Sequence, residues 1–187
     1  MFIQTEMTPN PATLKFVPGE TVMDRGTAFY ESAEEAKNSP LAHRLFAVEG
    51  VTGAFFGFDF IAVTLTDQDW DDKKTEVLGA IMEHYTSGDP VVSNEDAATP
   101  ASEESPAENP EDAEIIAQIK ELLEARVRPA VARDGGDITF HAYVEGTVYL
   151  RMQGACSGCP SSTATLQYGI QNLLKHYIPE VETVEAV

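Results

Sequence analysis

The segment Gln153-Gly154-Ala155-Cys156-Ser157-Gly158-Cys159-Pro160 contains both cysteines of the chain and joins a predicted strand to a predicted helix. Alternating apolar residues at Val148, Leu150 and Met152 predict the strand that runs into it. Pro160 suits the first turn of a helix, which we expect to extend to about Tyr177. The cysteines are therefore predicted to lie at a helix N-terminus, where unpaired amides and the helix dipole lower a thiol pKa.

Several kinds of site fit a Cys-x-x-Cys pair. Dithiol redox chemistry of the thioredoxin type is one, although only 28 residues follow the motif, too few to complete that fold. Structural zinc needs four ligands, and none of the four histidines (His43, His84, His141, His176) has ligand spacing to the pair. An iron–sulfur cluster also needs four thiolates, which two chains related by a two-fold axis supply together. The remaining interpretation is an incidental, buried pair.

Around this segment the pattern predicts a C-terminal domain over residues 113–187 with the order α-β-β-α-β, a three-stranded sheet and two helices. Asp112 is a candidate cap for the first helix, which Pro129 kinks or ends. A strand over 137–144 and the strand that follows it are joined by a turn at Glu145-Gly146. A last strand is expected within 181–186. The residues of the first strand that we expect on one apolar face are Ile138, Phe140, Ala142 and Val144.

Residues 1–92 predict a second small domain, so the fold class is α+β with two domains. Short strands are expected at 1–6 and 14–17, around a turn at Thr8-Pro9-Asn10-Pro11. Ser39 caps a helix that has Pro40 in its first turn, and a hairpin pair over 51–58 and 60–66 follows. A second helix is predicted from Trp70 to Tyr85, ending near Gly88.

Residues 93–112 form the predicted linker between these domains. The stretch 93–110 has three prolines, five acidic residues and no basic residue, and no apolar side chain in it is larger than alanine. Such a composition does not offset the entropy cost of ordering, so we expect a flexible, disordered acidic tether.

Composition excludes some classes of function. The chain has 187 residues, 12 basic and 31 acidic side chains, and a formal net charge of −19, which disfavours nucleic acid as a partner. No segment predicts a membrane span. One close cysteine pair suits a reducing compartment, and the first residues lack the features of a signal or transit peptide. We therefore expect a cytoplasmic protein.

Specific stretches in both halves resemble the NifU-like (Nfu) family. In the C-terminal half they are RPAVARDGGD at 128–137, GACSGCPSS at 154–162, GIQ at 169–171 and YIPEV at 177–181. In the N-terminal half they are MFIQT at 1–5, TPNP at 8–11, LKF at 14–16, SPLA at 39–42 and EGV at 49–51. The resemblance covers essentially the whole chain outside the linker.

The resemblance implies a carrier and not an enzyme. It also implies a location in the bacterial cytoplasm, or in the mitochondrial matrix if a presequence has been removed. It implies that Cys156 and Cys159 of two chains hold a 4Fe–4S cluster between the subunits of a homodimer, with a 2Fe–2S form as a further option. The cluster would come from an upstream assembly scaffold and pass to apo iron–sulfur enzymes. The alternative from another class remains a thioredoxin-like dithiol oxidoreductase.

The other notable residues predict ordinary structural roles. Asp67, Asp69, Asp71 and Asp72 are expected on a solvated loop or helix start, and Phe55, Phe56, Phe58 and Phe60 in the core and sheet. Arg126, Arg128 and Arg133 are expected on a solvated face. Because the N-terminal domain shows no catalytic set, our hypothesis is that it recognises clients or partners.

Overall fold

The structure, a computed structural model, describes residues 2–67, 69–93, 112–157 and 160–187. The chain forms two compact units, Met1–Ala101 and Ser102–Val187, each with helices and a sheet, so the predicted α+β class with two domains is confirmed. The predicted linker lies almost wholly outside the described residues, and its disorder stays a prediction. Among the helices that the structure describes, none is both long and apolar enough to cross a bilayer.

The first unit is a five-stranded antiparallel sheet with helices against one face. Its strands are β1 (Gln4–Met7), β2 (Thr13–Val17), β3 (Ala28–Tyr30), β4 (Val51–Phe56) and β5 (Ile61–Leu65). They lie in the order β1-β2-β5-β4-β3. The helices are a short 3-10 helix (Glu35–Asn38), α1 (Pro40–Phe46) and α2 (Trp70–Ser87).

Local sequence signals explain most of these boundaries. Ser39 caps α1 as predicted, because its Oγ accepts a hydrogen bond from the Ala42 amide at 3.1 Å. Gly88 ends α2 in the left-handed region, with φ at 72°. The predicted hairpin pair forms β4 and β5, whereas β3 and the 3-10 helix were not predicted. β3 has only three residues, too few to show a period.

The second unit places its helices and strands in the predicted order. They are α3 (Ala113–Leu122), a π-helical turn (Leu123–Val127), α4 (Arg128–Arg133), β6 (Gly136–Val144), β7 (Thr147–Gly154), α5 (Pro160–Tyr177) and β8 (Thr183–Ala186). The sheet order is β6-β7-β8, with β6 antiparallel and β8 parallel to β7. The predicted turn is confirmed, because Glu145 and Gly146 both adopt positive φ, 46° and 82°, as a two-residue hairpin requires.

The first helix of this unit departs from prediction in two ways. Asp112 precedes α3, but its side chain makes no capping hydrogen bond. Pro129 does not end the helix. The chain widens into the π turn just before it, where the Arg128 amide donates to the Leu123 carbonyl, and then resumes as α4 with Pro129 in its first turn.

A β-bulge at His141 corrects the predicted apolar face of β6. Phe140 pairs with Leu150, but Ala142 pairs with Tyr149, so His141 is the extra residue. An added residue reverses which side chains face the core. Ala142 and Val144 therefore do not share a face with Ile138 and Phe140, and Val144 is 49% exposed. Tyr143 packs against the core instead.

Candidate functional site

The cysteine segment begins as a tight turn at the end of β7. Gly154 has a φ of 66°, and its carbonyl accepts hydrogen bonds from the Ser157 amide at 3.1 Å and the Ser157 hydroxyl at 2.8 Å. The Ala155 amide donates to the Gly135 carbonyl at 3.1 Å, which ties the turn to the start of β6. α5 then begins at Pro160, as predicted.

Cys156 is buried at the base of this turn. It is 7% exposed and belongs to the apolar cluster between the sheet and the helices of the second unit. Its sulfur lies against Gly136, where a Cβ would come within 2.6 Å of Sγ and 2.8 Å of the Gln153 carbonyl oxygen. Gly136 is therefore required at this position because any side chain would occupy the space of the sulfur.

Burial reverses the predicted effect on the Cys156 thiol. Desolvation, with the nearby carboxylates of Asp134 and Asp137, raises the pKa of Cys156 to about 12. The prediction that the helix N-terminus lowers its pKa is thus wrong for Cys156 in this conformation. Burial removes water from the sulfur, and two negative charges further disfavour the thiolate.

Cys159 and Gly158 lie outside the described residues, so the geometry of the cysteine pair stays a prediction. Across the residues that are described, no group of three or more His, Cys, Asp or Glu side chains is placed to hold a metal ion. Cys156 is a free thiol. A site for a metal at this loop thus draws on Cys159, on a second chain, or on both.

Arg128 anchors the start of β6 next to this turn. Its Nε and one terminal nitrogen donate to the two carboxylate oxygens of Asp137 at 2.8 and 2.7 Å. Asp137 is 3% exposed, and its Oδ1 also accepts from the Ile138 amide. The other terminal nitrogen of Arg128 binds Glu124, and the carboxylates raise the pKa of the guanidinium.

This contact corrects the expected solvated role of Arg128. The sequence signal was present, since Asp137 directly follows Gly135-Gly136 at the start of an apolar strand, where a carboxylate needs a partner. Arg126 differs, because its guanidinium lies over the exposed ring of Tyr177 at 5.5 Å.

The first unit contains no comparable cluster of reactive side chains among its described residues. Asp71 and Asp72 lie in the first turn of α2, as expected for a helix start. Phe55, Phe56 and Phe60 are buried as predicted, but Phe58 is 62% exposed at the hairpin turn. His84 is buried on α2, and desolvation lowers its pKa.

Family models match both halves of the chain. Residues 3–88 match "Scaffold protein Nfu/NifU N terminal", and residues 119–185 match "NifU-like domain". Together the two matches cover most of the described residues in each unit.

Individual relatives match along the whole chain. "NFU1 iron-sulfur cluster scaffold homolog, mitochondrial" from Homo sapiens is 48% identical over all of this chain and 72% of its own length. "NifU-like protein 4, mitochondrial" from Arabidopsis thaliana is 48% identical over 99% of this chain, which spans 65% of that protein. The solution structure of a NifU-like protein from Saccharomyces cerevisiae aligns with 51% of this chain and 87% of its own, at 25% identity and a TM-score of 0.45. By the match to the human relative and to the two family models, the chain belongs to the NifU-like (Nfu) family, in its two-domain form.

Proposed function

We propose that this protein carries an iron–sulfur cluster and delivers it to apo-proteins, without being an enzyme itself. The observation that carries the proposal is the sequence position of the only two thiols, both in the short segment that joins β7 to α5 of a NifU-like domain. The human relative's name, an iron–sulfur cluster scaffold homolog, supports the same cargo. Two thiols satisfy half of a cluster, so two chains share one.

Cys156 and Cys159 are the proposed ligands, and the cargo is a 4Fe–4S cluster between two subunits. Both relatives are named as mitochondrial, which favours the mitochondrial matrix over the bacterial cytoplasm that we first expected. The donor would be an upstream assembly scaffold, and the recipients apo iron–sulfur proteins. The dithiol oxidoreductase alternative gains no support from Cys156, because its sulfur is buried and a disulfide substrate cannot reach it in this conformation.

Anaerobic reconstitution with iron and sulfide tests the proposal. We expect about two irons and two sulfides per chain, a 4Fe–4S Mössbauer spectrum and the mass of a dimer. Cys156→Ser and Cys159→Ser should each abolish cluster binding, while Ser157→Ala, between them, should keep it. A full cluster in either cysteine variant would refute the ligand assignment. A colourless protein that reduces insulin with turnover would establish the redox alternative.

A further inference from the structure

The sulfur of Cys156 is enclosed where a cluster shared by two chains cannot reach it. Cys156 is buried within the apolar cluster of the second unit, and Gly136 leaves room for the sulfur and nothing more. A cluster bound by two chains needs its thiolate ligands at the protein surface, where the second chain can approach. The described position of Cys156 and the ligating position are therefore different.

Among the described residues, four hydrogen bonds contribute to holding the turn Ala155–Ser157 in this enclosed position, and they are of two kinds. The two bonds from Ser157 to the Gly154 carbonyl lie inside the turn, so they can move with it. The Ala155 amide bonds Gly135, and the Thr163 hydroxyl donates to the Cys156 carbonyl at 3.0 Å. Those two bonds join the turn to its surroundings and must break if Cys156 moves out.

Thr163 provides a side-chain contact between this turn and α5. It lies on α5, seven residues after Cys156, and its hydroxyl reaches back to the backbone of the cysteine itself. Valine has nearly the shape of threonine but cannot donate a hydrogen bond, so the contact is removable without a large change in packing. Gly135, in contrast, contributes through its backbone, which no substitution removes.

We propose that Cys156 is stored in a closed position against Gly136, that the Thr163 hydroxyl latches it there, and that cluster loading requires the turn Ala155–Ser157 to open. The storage and the latch follow from the described contacts alone. The loading step rests on the proposed carrier function. The opening is a conformational step that precedes any bond to iron, and it keeps the thiol shielded from oxidants and disulfides between deliveries.

Thiol labelling of the full-length Cys159→Ser variant tests the closed position, because Cys156 is then the only thiol in the chain. We expect labelling of the native protein to be about tenfold slower or more than labelling in urea at the same pH. A tenfold difference corresponds to a free energy of opening of about 1.4 kcal/mol. Iodoacetamide and a bulkier maleimide should show the same degree of protection, since both wait for the opening. Equal rates in native and unfolded protein would overturn the proposal.

The latch is tested by adding Thr163→Val to that variant. Loss of one hydrogen bond should speed labelling about fivefold. Thr163→Ser, which keeps the hydroxyl, should stay slow, and Thr183→Val, the same change at an exposed position on β8, should have no effect. If Thr163→Val labels at the parent rate, Thr163 is not the latch. Cluster uptake by the two-cysteine protein is measured separately, so a carrier without a latch is distinguishable from a chain that binds no cluster.

Discussion

Gly136→Ala should lower the free energy of unfolding of the second unit, because Cys156 packs closely against Gly136 at the start of β6. The added Cβ would lie 2.6 Å from Sγ, 2.8 Å from the Gln153 carbonyl oxygen and 3.1 Å from the Cys156 amide nitrogen. Two of these three atoms belong to the backbone, so rotation of the cysteine side chain alone cannot relieve the contact. Overpacking of this kind costs about 1–3 kcal/mol.

Differential scanning calorimetry of the full-length protein measures this cost. For a domain of 60–100 residues each kcal/mol shifts Tm by about 4–8 °C, so a cost of about 2 kcal/mol lowers the Tm of the second unit by roughly 8–16 °C. The displaced sulfur should also label faster, because the added methyl group takes its place.

Gly169→Ala is the matched control for the same chemical change. Gly169 lies on α5, where an added Cβ meets no atom within 4 Å, and alanine stabilises a helix by about 1 kcal/mol relative to glycine. The two variants should therefore shift Tm in opposite directions. If Gly136→Ala melts at or above the parent temperature and Cys156 is still protected from labelling, the close contact between the sulfur and Gly136 is refuted.

Two further predictions concern charge. Arg128→Gln removes the two hydrogen bonds that the guanidinium donates to the buried Asp137 carboxylate, and it should lower the free energy of unfolding by about 3 kcal/mol in urea titrations. Arg126→Gln should lower it by less than about 1 kcal/mol. Equal losses would contradict the buried ion pair. Because burial lowers the pKa of His84 below 6.5, the unfolded chain takes up a proton before the folded one, and stability should fall as pH drops from about 7 towards 5. His84→Gln should flatten that dependence of the urea midpoint, and an unchanged slope would refute the assignment to His84.

Short-range signals predicted most of the helices and strands correctly. The shortness of β3 and contacts between distant residues account for features that were missed. Ser39 before Pro40, the Glu145-Gly146 turn and Pro160 each specify a boundary through their own backbone preferences. The bulge at His141 has no such signal, because the apolar alternation continues through it in the sequence. Only pairing with β7 shows that the face has changed.

At the candidate site too, short-range signals were predicted from the sequence and contacts between distant residues were not. The sequence predicted the cysteine pair and its place between strand and helix. It did not predict that Cys156 is buried, because the space for the sulfur is created by Gly136, twenty residues earlier on the neighbouring strand. The wrong direction for the thiol pKa had the same origin, since the prediction considered the helix that follows and not the burial of the sulfur or the nearby carboxylates of Asp134 and Asp137.

The π turn at Leu123–Val127 gives the helix one residue more than a regular α-helix would need to reach the same position. Ile119, Leu123, Val127 and Val131 are all buried at a strict spacing of four residues. On a regular α-helix each such step overshoots a full turn by about 40°, so the fourth residue would point about 120° away from the first. The wider turn accommodates one extra residue and brings Val127 and Arg128 back to the sheet. We expect deletion of the exposed Ala125 to replace the π turn with an ordinary α-helical turn and to leave Arg128 opposite Asp137, so the helix should tolerate the loss of one residue at this point.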